Sequence, residues 1–343
     1  MKSMKIKSIA MAGVLSLSML AGMPVMAATA NVETHESIPV TKTITYAGGV
    51  TLPANDKVTV HFVQTDNKEG EPAKVDVNIP DMTLNTTNAD FTSNTAKQIG
   101  EVTGDKFEKY GVYHYTVTET SPTNEKGWEV GGETYTLNVY VHNNEQGEKV
   151  KEFTLANNSG EKSGTAAFTN TYTTTTNLTI KKNVTDDSKI EDPNQTYSFT
   201  VTLENVAPNT IATDANFTWK GDKNSNGTIT GTNGTVTLKN GETATISDLP
   251  AGTKVTVSET TTGNFTTKNK VTAYTKNDAE KDGASTDQFI LQNDGINAVE
   301  FTNTYKTVTV TGVVTNIAPY ITMVVVAGAA IAVYVVLKKR LAR

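Results

Sequence analysis

The chain contains no cysteine, and that one absence removes disulfides, zinc–thiolate sites, cysteine nucleophiles and thioester heads together. A β-rich protein bound for an oxidising exterior must then find its stability elsewhere. Histidine is scarce: His35, His61, His114 and His142 stand far apart, without ligand spacing or an evident nucleophile partner. A metal centre or a turnover enzyme therefore has little support, and no cofactor is implied. Basic patches are missing as well, and the formal net charge is −6, which argues against nucleic acid as a partner. No segment of the body carries a long helical period, so a helical bundle is excluded.

What is present begins at the two ends. Lys2, Lys5 and Lys7 precede an apolar run from Ile9 to Leu20 and small residues ending at Ala30, the order of a secretory signal peptide over 1–30. At the other end Ile317 to Leu337 is mostly apolar. As a helix rising about 1.5 Å per residue it reaches about 31 Å, one bilayer crossing. Lys338, Lys339, Arg340 and Arg343 follow and would hold that end in the cytoplasm, which places the body outside the cell. The resulting expectation is a transmembrane helix over 313–337 and a basic tail over 338–343. Losing the three lysines of 1–30 and the two lysines and two arginines of 312–343 would take the charge from −6 to −13.

Immediately before the apolar span stands Val308-Thr309-Val310-Thr311-Gly312. This pentapeptide, membrane helix and basic tail resemble the cell-wall sorting signal of Gram-positive surface proteins. The resemblance implies attack by a sortase on the Thr311 carbonyl and release of the part that starts at Gly312. The family's proline is absent, with Thr309 in its usual place. A last strand and turn before a plain membrane anchor is the competing reading.

The body, about 280 residues long, suits two domains better than one. Thr/Val alternation in KVTVHFVQT, YTLNVYVHN and GTVTLKNGETATI is the period of half-buried strands. Asn226-Gly227, Asn233-Gly234 and Asn240-Gly241 are expected to be tight hairpin turns. The predicted fold class is all-β, with two tandem Ig-like sandwiches over 31–174 and 175–307. Asp222 to Gly227 (DKNSNG) starts like a calcium loop, but its twelfth position is Asn233 rather than a bidentate glutamate, so a hairpin turn is expected there.

The pentapeptide FTNTY occurs twice, at 168–172 and 301–305. Aligning the two halves pairs Lys42 with Lys182, Glu119 with Glu259 and Asn170 with Asn303, and each lysine precedes its glutamate by 77 residues. Side chains at i, i+2 and i+4 share a sheet face. Lys42 thus joins Ile38, Val40 and Ile44, Glu119 joins Tyr113, Tyr115 and Val117, and Asn170 joins Phe168 and Tyr172. The second half repeats the arrangement, and Lys181 points away from it. Burying a lysine, a glutamate and an asparagine is costly unless they satisfy one another. A desolvated lysine loses its proton more readily and becomes a nucleophile. Attack of its Nζ on the asparagine carboxamide, with the carboxyl shuttling protons, would expel ammonia and leave an isopeptide bond between first and last strands. Rim residues, or a buried ion pair beside a hydrogen-bonded asparagine, form the bland alternative.

FEKYGVYHYTVTE (107–119), GGETYTLNVYVHN (131–143) and AAFTNTY (166–172) are similar to the isopeptide-containing domain of streptococcal T-antigen-type backbone pilins. LTIKKNV, ISDLPAGTKVTVSE and VEFTNTY resemble the related domains of pilins and collagen-adhesin B-type repeats. The resemblance implies a two-domain structural subunit without turnover, secreted, wall-anchored and polymerised head to tail by a sortase, with Thr311 joined to a lysine of the next copy. Identical subunits, sortase, peptidoglycan, minor pilins and host surface ligands are the partners it implies. Lys162 in SGEKSG lies where similar pilins carry the acceptor lysine, although no YPK motif accompanies it and an exposed loop lysine explains it equally well. A monomeric wall-anchored adhesin or stalk is the alternative function.

Overall fold

The computed structural model describes residues 35–305 apart from 121, 123–125, 187–191, 193, 261–264 and 275, together with positions 327, 331 and 338. The expected signal peptide (1–30), sorting pentapeptide (308–312), membrane helix (313–337) and basic tail (338–343) lie outside the described residues, those three positions aside. Among the described residues no helix is long and apolar enough to cross a membrane.

The protein is all-β and sandwich-like. Its first nine strands are β1 (Ser37–Thr45), β2 (Lys57–Gln64), β3 (Met82–Asn85), β4 (Lys97–Thr103), β5 (Gly111–Thr120), β6 (Trp128–Val130), β7 (Thr134–Asn143), β8 (Lys149–Asn157) and β9 (Ala166–Tyr172). They form a four-stranded sheet, β4-β1-β9-β6, and a five-stranded sheet, β3-β2-β5-β7-β8. The strict in/out alternation of β1 sends Ile38, Val40, Lys42 and Ile44 inward. Phe107 fills the space between the sheets, meeting Tyr113 edge-on at 5.0 Å and Phe153 at 5.9 Å, a geometry that aligns ring edges with ring faces.

The remaining strands are β10 (Thr175–Thr185), β11 (Thr196–Glu204), β12 (Asn216–Gly221), β13 (Asn226–Thr230), β14 (Asn233–Lys239), β15 (Thr243–Pro250), β16 (Lys254–Glu259), β17 (Phe265–Ala273), β18 (Lys276–Asn277), β19 (Lys281–Asp282), β20 (Phe289–Ile290) and β21 (Ala298–Tyr305). Their pairing runs continuously from β18 to β20. The two layers are joined at a corner where β13 meets β14 through the pair Thr230 and Asn233. Only residues 173 and 174 separate β9 from β10. A small apolar cluster spans the two groups of strands, with Ala251 packed among Ile44, Ala47, Leu52 and Tyr172.

Two of the three expected Asn-Gly turns are strand residues instead. Asn226-Gly227 opens β13 and Asn233-Gly234 opens β14, whereas Asn240-Gly241 does form the turn before β15. The reason is packing. A Cβ on Gly227 would lie 2.7–2.9 Å from the Trp219 indole, and one on Gly234 would lie 2.8 Å from Ile229. These glycines admit a neighbour, and the reversals fall at 222–225, with Asn224 at φ 71°, and at Gly231, with φ 63°. The DKNSNG stretch is accordingly the turn of the β12–β13 hairpin.

Candidate functional site

In each group the first and last strands lie side by side and parallel, β1 beside β9 and β10 beside β21. Register is the same in both. Lys42 pairs with Phe168 and Ile44 with Asn170; Lys182 pairs with Phe301 and Val184 with Asn303. The repeated FTNTY thus sets its phenylalanine beside the lysine and its asparagine two residues further along. All four residues, Lys42, Asn170, Lys182 and Asn303, have 0 % exposure.

The glutamates arrive from the opposite layer, Glu119 on β5 and Glu259 at the end of β16. In the first site Lys42 Nζ donates to both Glu119 oxygens, at 2.8 and 2.6 Å, and Asn170 Nδ2 donates to Glu119 Oε1 at 2.6 Å. In the second, Lys182 Nζ stands 2.9 Å from Glu259 Oε1, and Asn303 Nδ2 donates to that same oxygen at 2.7 Å. One carboxylate therefore touches both the amine and the carboxamide nitrogen. Both pairs are nearly water-free, with side-chain exposures of 0 and 1 % in the first and 0 % for each partner in the second. Among the described residues, Asn170 Oδ1 and Asn303 Oδ1 are buried without a hydrogen-bond partner.

Burial pushes the Lys42 ammonium below the ordinary lysine range, against the opposing pull of the Glu119 and Glu133 carboxylates. A lowered value increases the neutral fraction, the form able to act as a nucleophile. The chemistry open to the arrangement is proton transfer from Nζ through the carboxylate to the amide nitrogen while Nζ adds to the amide carbon.

The two sites differ in their neighbours. Lys182 Nζ sits 4.4 Å from the centre of the Tyr197 ring, a cation–π contact, whereas Lys42 has the second acid, Glu133. Sequence reasoning named neither. Period-two alternation in TYSFTVTLE already puts Tyr197 on the core face; nothing in the spacing of GGETY places Glu133 near Lys42. Lys162 is exposed in the connection between β8 and β9, where its backbone bridges to Ala156. Val308 to Gly312 lie outside the described residues. No group of three or more histidine, aspartate or glutamate residues suited to a metal ion occurs among the described residues.

Residues 38–173 match the family described as a Spy0128-like isopeptide containing domain, and 176–305 match a domain of unknown function (DUF7601). A pilin of Streptococcus pyogenes serotype M1 is 30 % identical over 289 residues, 80 % of this chain and 82 % of that protein. The crystal structure of the major pilin from Streptococcus pyogenes aligns at 24 % identity and a TM-score of 0.38, covering 79 % of this chain and 98 % of that one. A second major pilin of that species aligns at 22 % identity and a TM-score of 0.37 with the same coverage.

Proposed function

Because the chain belongs to the pilin family, at 30 % identity over 82 % of a Streptococcus pyogenes pilin, we propose that it is the structural subunit of a covalent cell-surface pilus. Two Lys–Asn bonds, Lys42 to Asn170 and Lys182 to Asn303, stabilise its two Ig-like domains, 31–174 and 175–307. The observation that carries this reading is the recurrence of one buried triad at one register between first and last strands. A lone buried ion pair is weak support for any role; two with the same asparagine partner and the same 77-residue spacing are not accounted for by packing.

The reaction follows from the contacts. Neutral Nζ adds to Cγ of the asparagine, Glu119 or Glu259 takes a proton from Nζ and delivers it to Nδ2, and the C–N bond breaks to release ammonia. Each glutamate ends as it began, so the process is a single self-crosslinking event, not turnover. The bonds link the terminal strands of each domain, and tension applied at the ends then passes through them around the intervening sheet.

Assembly uses the ends of the chain. After signal-peptide removal, a sortase cleaves Val308-Thr309-Val310-Thr311-Gly312 at the Thr311 carbonyl and transfers it to a lysine of another copy, with Lys162 the candidate on exposure and position. The final transfer is to peptidoglycan. Immunoblots of wall extracts on denaturing gels test this: a ladder of covalent multimers is expected, and Lys162→Ala is expected to collapse it. A single band from the unaltered protein would identify a monomeric wall-anchored adhesin or stalk instead.

A further inference from the structure

Addition of an amine to a carboxamide drives negative charge onto the carbonyl oxygen, and a donor placed to receive that charge contributes strongly to such reactions. Neither glutamate holds that oxygen in the structure, since each is engaged by Nδ2 and Nζ. In the second site a different group stands ready. Thr267 of β17 is the cross-strand partner of Asn303. The Thr267 carbonyl accepts the Gly283 N–H at 2.9 Å on the far side of β17. In an antiparallel ladder its N–H faces the same way, so Thr267 and Asn303 form the non-hydrogen-bonded kind of pair. In such pairs the Cα atoms approach to about 4.5 Å and the side chains are closer.

Thr267 Oγ1 is itself buried and, among the described residues, without a hydrogen-bond partner. A buried hydroxyl left unpaired is costly. Here its directly opposed neighbour carries an equally unpaired acceptor, Asn303 Oδ1. We infer that the Thr267 hydroxyl is the oxyanion donor of the second crosslink, hydrogen-bonding Asn303 Oδ1 as Lys182 adds to the amide carbon. The inference rests on the crosslinking reading above. Lys182 Nζ bonds to Cγ, the carbonyl pair moves to Oδ1, and Glu259 carries a proton from Nζ to Nδ2. The pair then returns, the C–Nδ2 bond breaks and ammonia departs. Thr267 keeps its proton throughout.

The first site lacks the group. Val130 stands opposite Asn170, and the Gly131 N–H to Thr169 carbonyl bond of 2.9 Å makes it the same kind of pair. Valine is threonine with the hydroxyl replaced by a methyl, so the two sites form a matched comparison within one chain.

The test is a time course of the full chain made by cell-free translation, with each crosslinked peptide quantified by mass after proteolysis. Thr267→Val is expected to slow the second bond about 100-fold, the lower range for loss of one oxyanion donor, while the first bond keeps its rate. Thr267→Ser should retain the rate, and Val130→Thr should accelerate the first bond. A merely structural threonine is separated by melting Thr267→Val in a Glu259→Ala background: an equal or higher midpoint is expected, and a lower one would overturn the assignment. Unchanged second-bond kinetics in Thr267→Val would overturn it while leaving the crosslinks standing. Absence of both bonds in the unaltered chain would overturn the crosslinking reading and this inference with it.

Discussion

Asn170→Ala removes the first crosslink and little else, because the freed Lys42 amine has Glu119 as its ion-pair partner at 2.6 Å. The bond would close a loop of 128 residue steps. Treated by the loop-entropy relation for disulfides, that closure contributes about 5 kcal/mol, chiefly by restricting the unfolded chain. At about 4 °C per kcal/mol for a unit of this size, the transition that includes β1–β9 should fall by about 20 °C in scanning calorimetry. Glu119→Ala should fall further, since it loses the same crosslink and also the carboxylate that lies 2.6 Å from the buried Lys42 amine. A drop below about 5 °C for Asn170→Ala would refute the loop argument. Glu119→Ala melting above Asn170→Ala would refute the assignment of the Lys42 environment.

Force spectroscopy should distinguish Lys182→Ala from the parent: the substitution is expected to release up to about 400 Å of extra contour length, the extended reach of the 121 steps from Lys182 to Asn303. Equal lengths would contradict load transfer through the bond. Burial raises the phenol values of Tyr113, Tyr115, Tyr135, Tyr140 and Tyr172. Their contribution is full below the unfolded value near 10 and is lost as pH rises through the folded values, so melting points should decline above about pH 10; a flat profile from pH 9 to 12 would contradict this. Gly227→Ala forces a Cβ to within 2.7 Å of the Trp219 ring and should cost about 1–3 kcal/mol in denaturant unfolding, against a near-neutral Gly48→Ala as control, whose Cβ would meet nothing closer than 4.0 Å.

The triads were legible because alternation is a rigid rule: a strand that buries Ile38, Val40 and Ile44 must bury Lys42 with them, and the second half repeats the argument with Lys182. Lys181, one residue away, has a half-exposed side chain 3.6 Å from Glu300, as parity requires. The same rule misplaces His114, which should face solvent between Tyr113 and Tyr115. It is buried because the irregular stretch after β2 folds over it, bringing Glu71 to 2.7 Å from Nε2, while Asn138 meets Nδ1 at 2.5 Å. Cover supplied by a segment with no period of its own leaves no trace in the strand it covers. Glu133 was invisible for a related reason. Its carboxylate occupies the space above Gly131, where a Cβ would lie 2.4 Å from Oε2, a placement set by turn geometry. Two of the three Asn-Gly turns failed because glycine answers two demands, positive φ and close approach, and the sequence does not say which one operates.

High-resolution intact mass of the full chain tests the account most directly. Two crosslinks require a mass lower than the sequence value by two molecules of ammonia, with one restored by Glu119→Ala, one by Glu259→Ala and both by the double variant. A mass equal to the sequence value, or a deficit unmoved by those substitutions, would contradict it.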